Sequence, residues 1–167
     1  PAVNPATGTP GVALIVADSD NDNDGALDLG NATIAQIDGA GTGGALTLQG
    51  ESVDLDGTAA ITAEGDLNVT ATDGAGAGII WTVAPTSVGG GNITLTSDNG
   101  ITLESNISAA GNVTIDGAGD LDLVAGGDRT ITSTAGAVIV TGAGTVRDDG
   151  AARTLTVTAG GAVGSGT

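Results

Sequence analysis

The densest group of charged side chains lies in residues 18–28, where Asp alternates with Asn or Ser. Counted from its second Asp, carboxylates occupy the first, third and fifth positions of a loop, at Asp20, Asp22 and Asp24. Gly25 takes the sixth position, where a sharp turn is needed, and the carbonyl of Ala26 and the carboxylate of Asp28 follow at positions seven and nine. Carboxylates this close repel one another unless a cation lies among them, and Ca²⁺ is bound by such oxygens. The spacing therefore predicts a calcium site.

This run resembles the first half of a calcium loop of the EF-hand, dockerin or thrombospondin-repeat type. It departs from them at the twelfth position, where Asn31 replaces the usual bidentate Glu, and no helical pattern flanks the loop. We therefore expect an isolated calcium loop and not a complete EF-hand. The alternative interpretation is a solvated acidic linker.

The composition excludes most catalytic chemistry. The chain has no His and no Cys, and its three basic residues are all Arg, so zinc fingers, Ser-His-Asp triads and Schiff-base lysines are absent. A polysaccharide-acting enzyme needs aromatic platforms for sugar, and the single aromatic residue, Trp81, lies in an apolar run that predicts packing in a core. We expect no enzyme.

Charge and hydropathy limit the partners. A formal charge of −17 with three Arg cannot form a nucleic-acid-binding surface. No apolar run approaches the ~18 residues that cross a bilayer, so no membrane insertion is expected. A chain rich in Thr, Asn, Asp and Gly without Cys indicates an extracellular or cell-surface location. It begins with Pro1 and shows no basic leader, so we expect a processed form or an excerpt of a longer chain.

Short runs of alternating aliphatic and polar residues recur along the chain and predict β-strands with one dry face. The runs at Ile93 and Val113 are 20 residues apart, as are those at Ile101 and Leu121, and Leu46 precedes Leu67 by 21. Two further runs are expected to continue these columns: Ile131 follows Val113 by 18 residues, and Val138 follows Leu121 by 17. The largest interruption of the repeat is residues 74–91. The repeat is thus near 20 residues, with two clear strands and a weaker third segment.

A repeat of this length indicates stacked coils, because one coil buries too few aliphatic residues to fold alone. We therefore predict an all-β parallel β-helix (β-solenoid) over residues 26–167, preceded by residues 1–25 with an apolar strand and the acidic loop. About six coils fit after Gly44. The alternative fold is a β-sandwich of immunoglobulin type.

Three phrases resemble the repeats of filamentous-haemagglutinin-type adhesins, which are large secreted bacterial surface proteins. They are Gly65-Asp66-Leu67-Asn68-Val69, Gly91-Asn92-Ile93-Thr94-Leu95 and Gly111-Asn112-Val113-Thr114-Ile115. The resemblance covers residues 26–167 and implies a right-handed parallel β-helix with an adhesive or structural role.

These features favour a structural protein in one of two forms. In the first, copies stack end to end into a filament, with calcium supporting the joint and an apolar N-terminal segment adding as a strand to a neighbour through Val12, Leu14 and Val16. In the second, the chain is a stalk segment of an adhesin whose partners are surface glycans or host receptors. The sequence leaves both forms open.

Five Asn-x-Ser/Thr triplets are candidate glycosylation sites, although strand alternation in a Thr-rich chain also produces such triplets by chance. They begin at Asn31, Asn68, Asn92, Asn106 and Asn112.

Overall fold

The computed structural model describes residues 13–17, 25–30, 33–36, 44–55, 60–72, 77–82, 86–88, 91–124, 126–142, 144–161 and 163–165. These residues form strands joined by turns, and every strand pairing among them is parallel. Parallel pairing excludes an immunoglobulin-type sandwich, whose strands are antiparallel. The predicted parallel β-helix is confirmed, and the right hand of its coil stays a prediction.

Each coil contributes one strand to each of three faces, in a fixed order. The first face is a seven-stranded sheet. Its strands are β1 (Ala13–Val16), β4 (Leu46–Gly50), β7 (Leu67–Ala71), β10 (Ile93–Ser97), β13 (Val113–Gly117), β16 (Val138–Gly142) and β19 (Val163–Ser165). Neighbouring strands of a sheet lie about 4.8 Å apart, so the sheet extends about 29 Å along the axis.

The second face is a six-stranded sheet. Its strands are β2 (Leu27–Asp28), β5 (Val53–Asp54), β8 (Ile79–Trp81), β11 (Ile101–Leu103), β14 (Leu121–Leu123) and β17 (Val146–Asp148). The third face consists of two three-stranded sheets, which meet where β9 contacts β12. Its strands are β3 (Ile34–Gln36), β6 (Ile61–Ala63), β9 (Thr86–Val88), β12 (Ile107–Ala109), β15 (Arg129–Ser133) and β18 (Leu155–Ala159).

The core is a column of aliphatic side chains inside the coil. Along the first face the register stacks Leu46 on Leu67, Leu67 on Ile93, and Ile93 on Val113, each fully buried. The intervening Thr and Asn residues point outward, which produces the alternating burial that period-two sequences predict. Because each aliphatic residue meets a like residue in the next coil, burial depends on stacking rather than on any single coil.

Coil length varies mostly because the segments between the strands vary in length. On the first face Ile93 stacks on Val113 and Leu46 stacks on Leu67, which are the offsets that the repeat predicts. The offset is larger between Leu67 and Ile93, where residues 74–91 intervene. β8 and β9 lie inside that region as the other two strands of their coil.

The register overturns two predicted positions. The spacing predicts that Ile131 follows Val113 and that Val138 follows Leu121. In the structure Val138 stacks on Val113 and Ile131 stacks on Ile107, so both offsets are longer than predicted. The connection between β14 and β15, residues 124–128, is longer than the corresponding residues 104–106, and β15 begins two residues earlier in the register than β12. The connection before β16, residues 134–137, adds one more position than residues 110–112.

Arg129 closes that longer turn from inside the protein. Its side chain is buried, and the guanidinium donates to the carbonyls of Leu103 (3.1 Å), Gly127 (2.9 Å), Asp128 (3.1 Å) and Val124. A planar guanidinium with five donors suits several converging carbonyls, so this arginine holds the turn against the coil below.

Candidate functional site

The two ends of the solenoid are the places where its regular stacking stops. At the C-terminal end the first face has seven strands, whereas the second and third faces each have six among the described residues. The edges of β17 and β18 are therefore uncovered beside β19. We call this uncovered ledge, formed by β17 and β18, the C-terminal step.

Aliphatic side chains at the C-terminal step are exposed although they continue the buried columns. Val146 stacks on Leu121, and it is 52% exposed whereas Leu121 is 6% exposed. Val157 stacks on the fully buried Ile131 and is itself only partly buried, as is Leu155. These residues have the pattern of core positions without the next coil that would bury them.

A cavity of about 240 Å³ opens beside the C-terminal step. Ligand pockets for drug-sized molecules occupy roughly 300–1,000 Å³, so this cavity suits aliphatic side chains better than a small-molecule ligand. Its apolar lining comprises Ile101, Ile115, Leu121, Val140, Val146 and Leu155.

The outer rim of the step is fixed by ion pairs. Arg147 on β17 lies 2.7 Å from Asp120 and 3.1 Å from Asp122, and Arg153 lies 2.6 Å from Asp149. A hydrogen bond from the Thr145 backbone N–H lowers the pKa of Asp120 below its ordinary value, and the Arg147 charge acts in the same direction. The Arg153 guanidinium similarly lowers the pKa of Asp149.

Lowering the pH should therefore destabilise the last coil. A carboxyl whose pKa is lower in the folded state adds stability above its unfolded pKa, near 4, and loses that contribution as the pH falls through the folded value. We expect the melting temperature to fall below about pH 4, and Asp120→Asn to lower it at neutral pH and flatten that acidic limb. Circular dichroism melts between neutral pH and acid measure this, with Asp98→Asn in an exposed turn as the control. An acidic limb unchanged in Asp120→Asn contradicts the assignment.

At the corner that precedes the first face, Asp and Asn side chains form a ladder of hydrogen bonds between successive coils. The Asp66 carboxylate accepts from the backbone N–H (2.7 Å) and Nδ2 (3.1 Å) of Asn92. Asn92 Oδ1 accepts from the Asn112 N–H, and Asn112 Oδ1 accepts from the Ala137 N–H, both at 2.8 Å. Each side chain thus bonds the following coil, and the Gly-Asx phrases that suggested an adhesin repeat are these corners.

The ladder bears on the candidate glycosylation sites. Nδ2 of Asn92, the atom that would carry a glycan, donates to Asp66, while Asn106 Oδ1 accepts from the Thr130 N–H at 2.8 Å. Asn112 is a ladder member as well. Asn68 lies in mid-strand on the outer face, and Asn31 lies outside the described residues. Glycosylation stays a prediction, for which Asn68 has the most suitable position among those described.

We expect Asn92→Ala to lower the free energy of unfolding by about 1–3 kcal/mol, because it removes two hydrogen bonds, each worth about 0.5–1.5 kcal/mol. Urea unfolding followed by circular dichroism measures the change. Asn68→Ala is the matched control, because it makes the same substitution outside the ladder, and we expect it to stay within about 0.5 kcal/mol of the native chain. Equal losses in both variants would show that the ladder contributes no stability.

The calcium loop is described only at its end. Asp20, Asp22 and Asp24 lie outside the described residues. Asp28 is exposed on β2 and accepts from the Gly30 N–H at 2.8 Å, and the Gly25 carbonyl accepts from the Glu51 N–H at 2.9 Å. The described residues contain no group of three potential metal-ligating side chains. Calcium binding, including the contribution of the Ala26 carbonyl, stays a prediction.

The N-terminal apolar segment belongs to the molecule's own first face. Leu14 and Val16 lie in β1, which pairs with β4 over Ala13–Val16, whereas Val12 lies outside the described residues. Leu14 is 61% exposed on the outer side of the sheet. Among the described residues β1 pairs with β4 alone. The predicted boundary between residues 25 and 26 stays a prediction.

Trp81 is fully buried on β8, as its apolar run predicts, and its Nε1 donates to the Asn106 carbonyl at 3.3 Å. It therefore offers no platform to a sugar. Within the described part of the chain there is also no helix long and apolar enough to cross a membrane.

Comparison with known proteins gave no relative. No protein-family model matches the chain, and no curated protein or solved structure does so either. The likeness to filamentous-haemagglutinin-type repeats therefore rests on the repeat phrases themselves.

Proposed function

We propose that this chain is a structural subunit of an extracellular or cell-surface filament, without catalytic activity, in which copies stack end to end along the solenoid axis. The observation that carries the proposal is the C-terminal step. Core-type side chains there, Val146 above all, are exposed where one more coil would bury them.

The direction of the strands favours this mode of contact. All strand pairings among the described residues are parallel, so the two ends of the solenoid are different surfaces. A contact between the N-terminal end of one copy and the C-terminal end of another is heterologous, and such contacts repeat without closing when they add along one axis. Among the described residues β1 and β19 are the edge strands of the first face, and edge strands present backbone N–H and C=O groups that can pair with another chain.

The charge of the chain is distributed unevenly along the sequence. Residues 1–128 hold 18 of the 20 acidic residues and none of the three Arg, whereas residues 129–167 hold two Asp and all three Arg. The first part thus has a formal charge of −18 and the second +1. The strong negative charge of residues 1–128 opposes side-by-side clumping of the solenoids.

Calcium has a definite place in this proposal. In the sequence the acidic loop falls between β1 and β2, the first two strands in chain order. A bound cation there reduces the repulsion among its carboxylates. Isothermal titration of the chain with Ca²⁺ tests this part alone, and the absence of heat would remove calcium while leaving the stacking intact.

The second candidate is a stalk segment of an adhesin that binds surface glycans or host receptors at another site. It is favoured by the outer surface of the middle coils, where short polar residues such as Thr94 and Thr114 alternate with the core. In a stalk the coil that covers the C-terminal step comes from the same polypeptide.

Size-exclusion chromatography with light scattering separates the two candidates. A filament subunit gives a mass that rises with concentration and grows in Ca²⁺ relative to EDTA. A stalk segment stays at the monomer mass of 15.6 kDa under all of these conditions.

A further inference from the structure

The outer side of the first face carries almost no charge. Its five middle strands, β4, β7, β10, β13 and β16, each present two outward side chains in parallel register. The first row is Thr47, Asn68, Thr94, Thr114 and Ile139, and the second row is Gln49, Thr70, Thr96, Asp116 and Thr141. Nine of these ten side chains are uncharged, although the chain has 20 acidic residues. We call these two rows the first-face array.

The second face differs in this respect. Its outward row includes Asp54, Asp122 and Arg147. The one charged member of the first-face array, Asp116, accepts a hydrogen bond from the Thr141 hydroxyl at 2.8 Å. A charged group binds water strongly, and its hydration is costly to remove when a surface is covered. The first-face array is therefore the side of the solenoid that can meet an uncharged phase at the lowest cost in hydration.

The array repeats at fixed distances in two directions. Neighbouring strands lie about 4.8 Å apart, and outward residues two positions apart on one strand are separated by about 6.6 Å, at 3.3 Å per residue. Six of the ten positions are Thr. Because Thr is branched at Cβ, its χ1 angle is restricted, and its hydroxyl and methyl groups are held in place on this grid.

Ice repeats at distances of similar size. Its water molecules are hydrogen-bonded tetrahedrally at about 2.75 Å between oxygens, which places second neighbours about 4.5 Å apart. Perpendicular to a row of such neighbours, hexagonal ice repeats at eight-thirds of the bond length, about 7.3 Å. Over the four strand spacings of the array the mismatch with that row accumulates to about 1.2 Å, and across the two rows it is about 0.7 Å. Both values are below half of a lattice repeat, so the array stays in register with the lattice.

We propose that the first-face array binds ice. A Thr hydroxyl donates one hydrogen bond and accepts two, so it can replace a water molecule in the tetrahedral network. The methyl groups beside these hydroxyls restrict the orientation of the adjacent water. The inference concerns the side of the solenoid and does not depend on end-to-end assembly.

A crystalline polysaccharide is the competing ligand, because it is also a solid with regular repeats. Sugar-binding surfaces use aromatic side chains as platforms. The single aromatic residue of the chain, Trp81, is fully buried. The array has hydroxyl and methyl groups but no such platform, which favours ice over a polysaccharide.

Thermal hysteresis, the gap between the melting and freezing points of an ice crystal held in protein solution, tests the proposal. We expect the native chain to open a gap that grows with concentration and to shape the crystal into facets. Thr94→Lys, at the centre of the array, should reduce the gap at least fivefold, because the charge retains its hydration shell. Thr102→Lys is the matched control, since it makes the same change at an outward Thr of β11 on the second face, and it should retain the native gap.

Asp116→Thr is a second variant, whose expected effect cannot come from misfolding. It removes the charge of the second row and adds a hydroxyl and a methyl group between Thr96 and Thr141. We therefore expect a larger gap than that of the native chain at equal concentration. Circular dichroism melts establish that each variant is folded. A gap that Asp116→Thr leaves unchanged or reduces contradicts the role of the array.

The remaining outcomes decide between ice and the other occupants of this face. Absence of a gap with the native chain overturns the inference, as does an equal loss in Thr94→Lys and Thr102→Lys. Co-sedimentation with crystalline cellulose without any effect on ice overturns it in favour of a polysaccharide. Side-by-side dimers that Thr94→Lys abolishes overturn it in favour of a second copy. A chain that stays monomeric and opens a gap removes the filament and supports ice binding, so the two proposals fail separately.

Discussion

Trp81→Ala should lower the free energy of unfolding by about 3–5 kcal/mol, the usual cost of truncating a buried large aromatic side chain. Trp81 is the largest side chain of the core, is fully buried, and stacks on Leu103 of the next coil. Its removal also leaves the Asn106 carbonyl without the indole donor. Proteins of this size have a total stability of about 5–15 kcal/mol, so the variant should melt far below the native chain.

Thermal and urea unfolding followed by far-ultraviolet circular dichroism measure this effect without the tryptophan signal. Leu14→Ala is the control, because Leu14 is 61% exposed and its truncation should change stability by less than about 0.5 kcal/mol. Equal stability of Trp81→Ala and Leu14→Ala would mean that the interior is not one continuous packed column at β8.

Val146→Asp should weaken association of the copies at least tenfold while leaving the single copy folded. Val146 is 52% exposed, so a carboxylate there stays hydrated in the monomer. In the assembled joint the same carboxylate would be buried against aliphatic side chains, where an uncompensated charge is strongly unfavourable. A loss of about 1.4 kcal/mol in binding free energy is already a factor of ten in affinity.

Sedimentation velocity over a range of concentrations measures the association of this variant. Thr94→Asp is the matched control, because it adds the same charge on the outer face between the uncharged Asn68 and Thr114. Association that is unaffected by Val146→Asp, or weakened equally by both variants, contradicts a joint at the C-terminal step.

The sequence predicts the coils best where their turns are short. The spacing between Ile93 and Val113, and between Ile101 and Leu121, is the true stacking register. Alternation of aliphatic and polar residues identifies a strand but not the face on which it lies. After a long turn, the spacing therefore assigns the following strands to the wrong face. For that reason the spacing predicts a wrong partner for Val138, although it identifies the strand itself.

The remaining features depend on contacts between distant residues. The acceptors of the buried Arg129 converge only once the turn has folded, and no local pattern indicates that arrangement. The corner ladder does leave a local signal, since Gly precedes Asp66, Asn92 and Asn112 directly before a strand. The C-terminal step requires the full count of strands on each face, which composition and spacing do not provide.

Electron microscopy of the assembled protein tests the end-to-end stacking most directly. Seven strand spacings of about 4.8 Å per copy predict filaments one solenoid wide, with a meridional spacing near 4.8 Å and a subunit repeat of about 34 Å. Single 15.6 kDa particles at every concentration and in the presence of Ca²⁺, or strands running along the fibre instead of across it, would contradict the account.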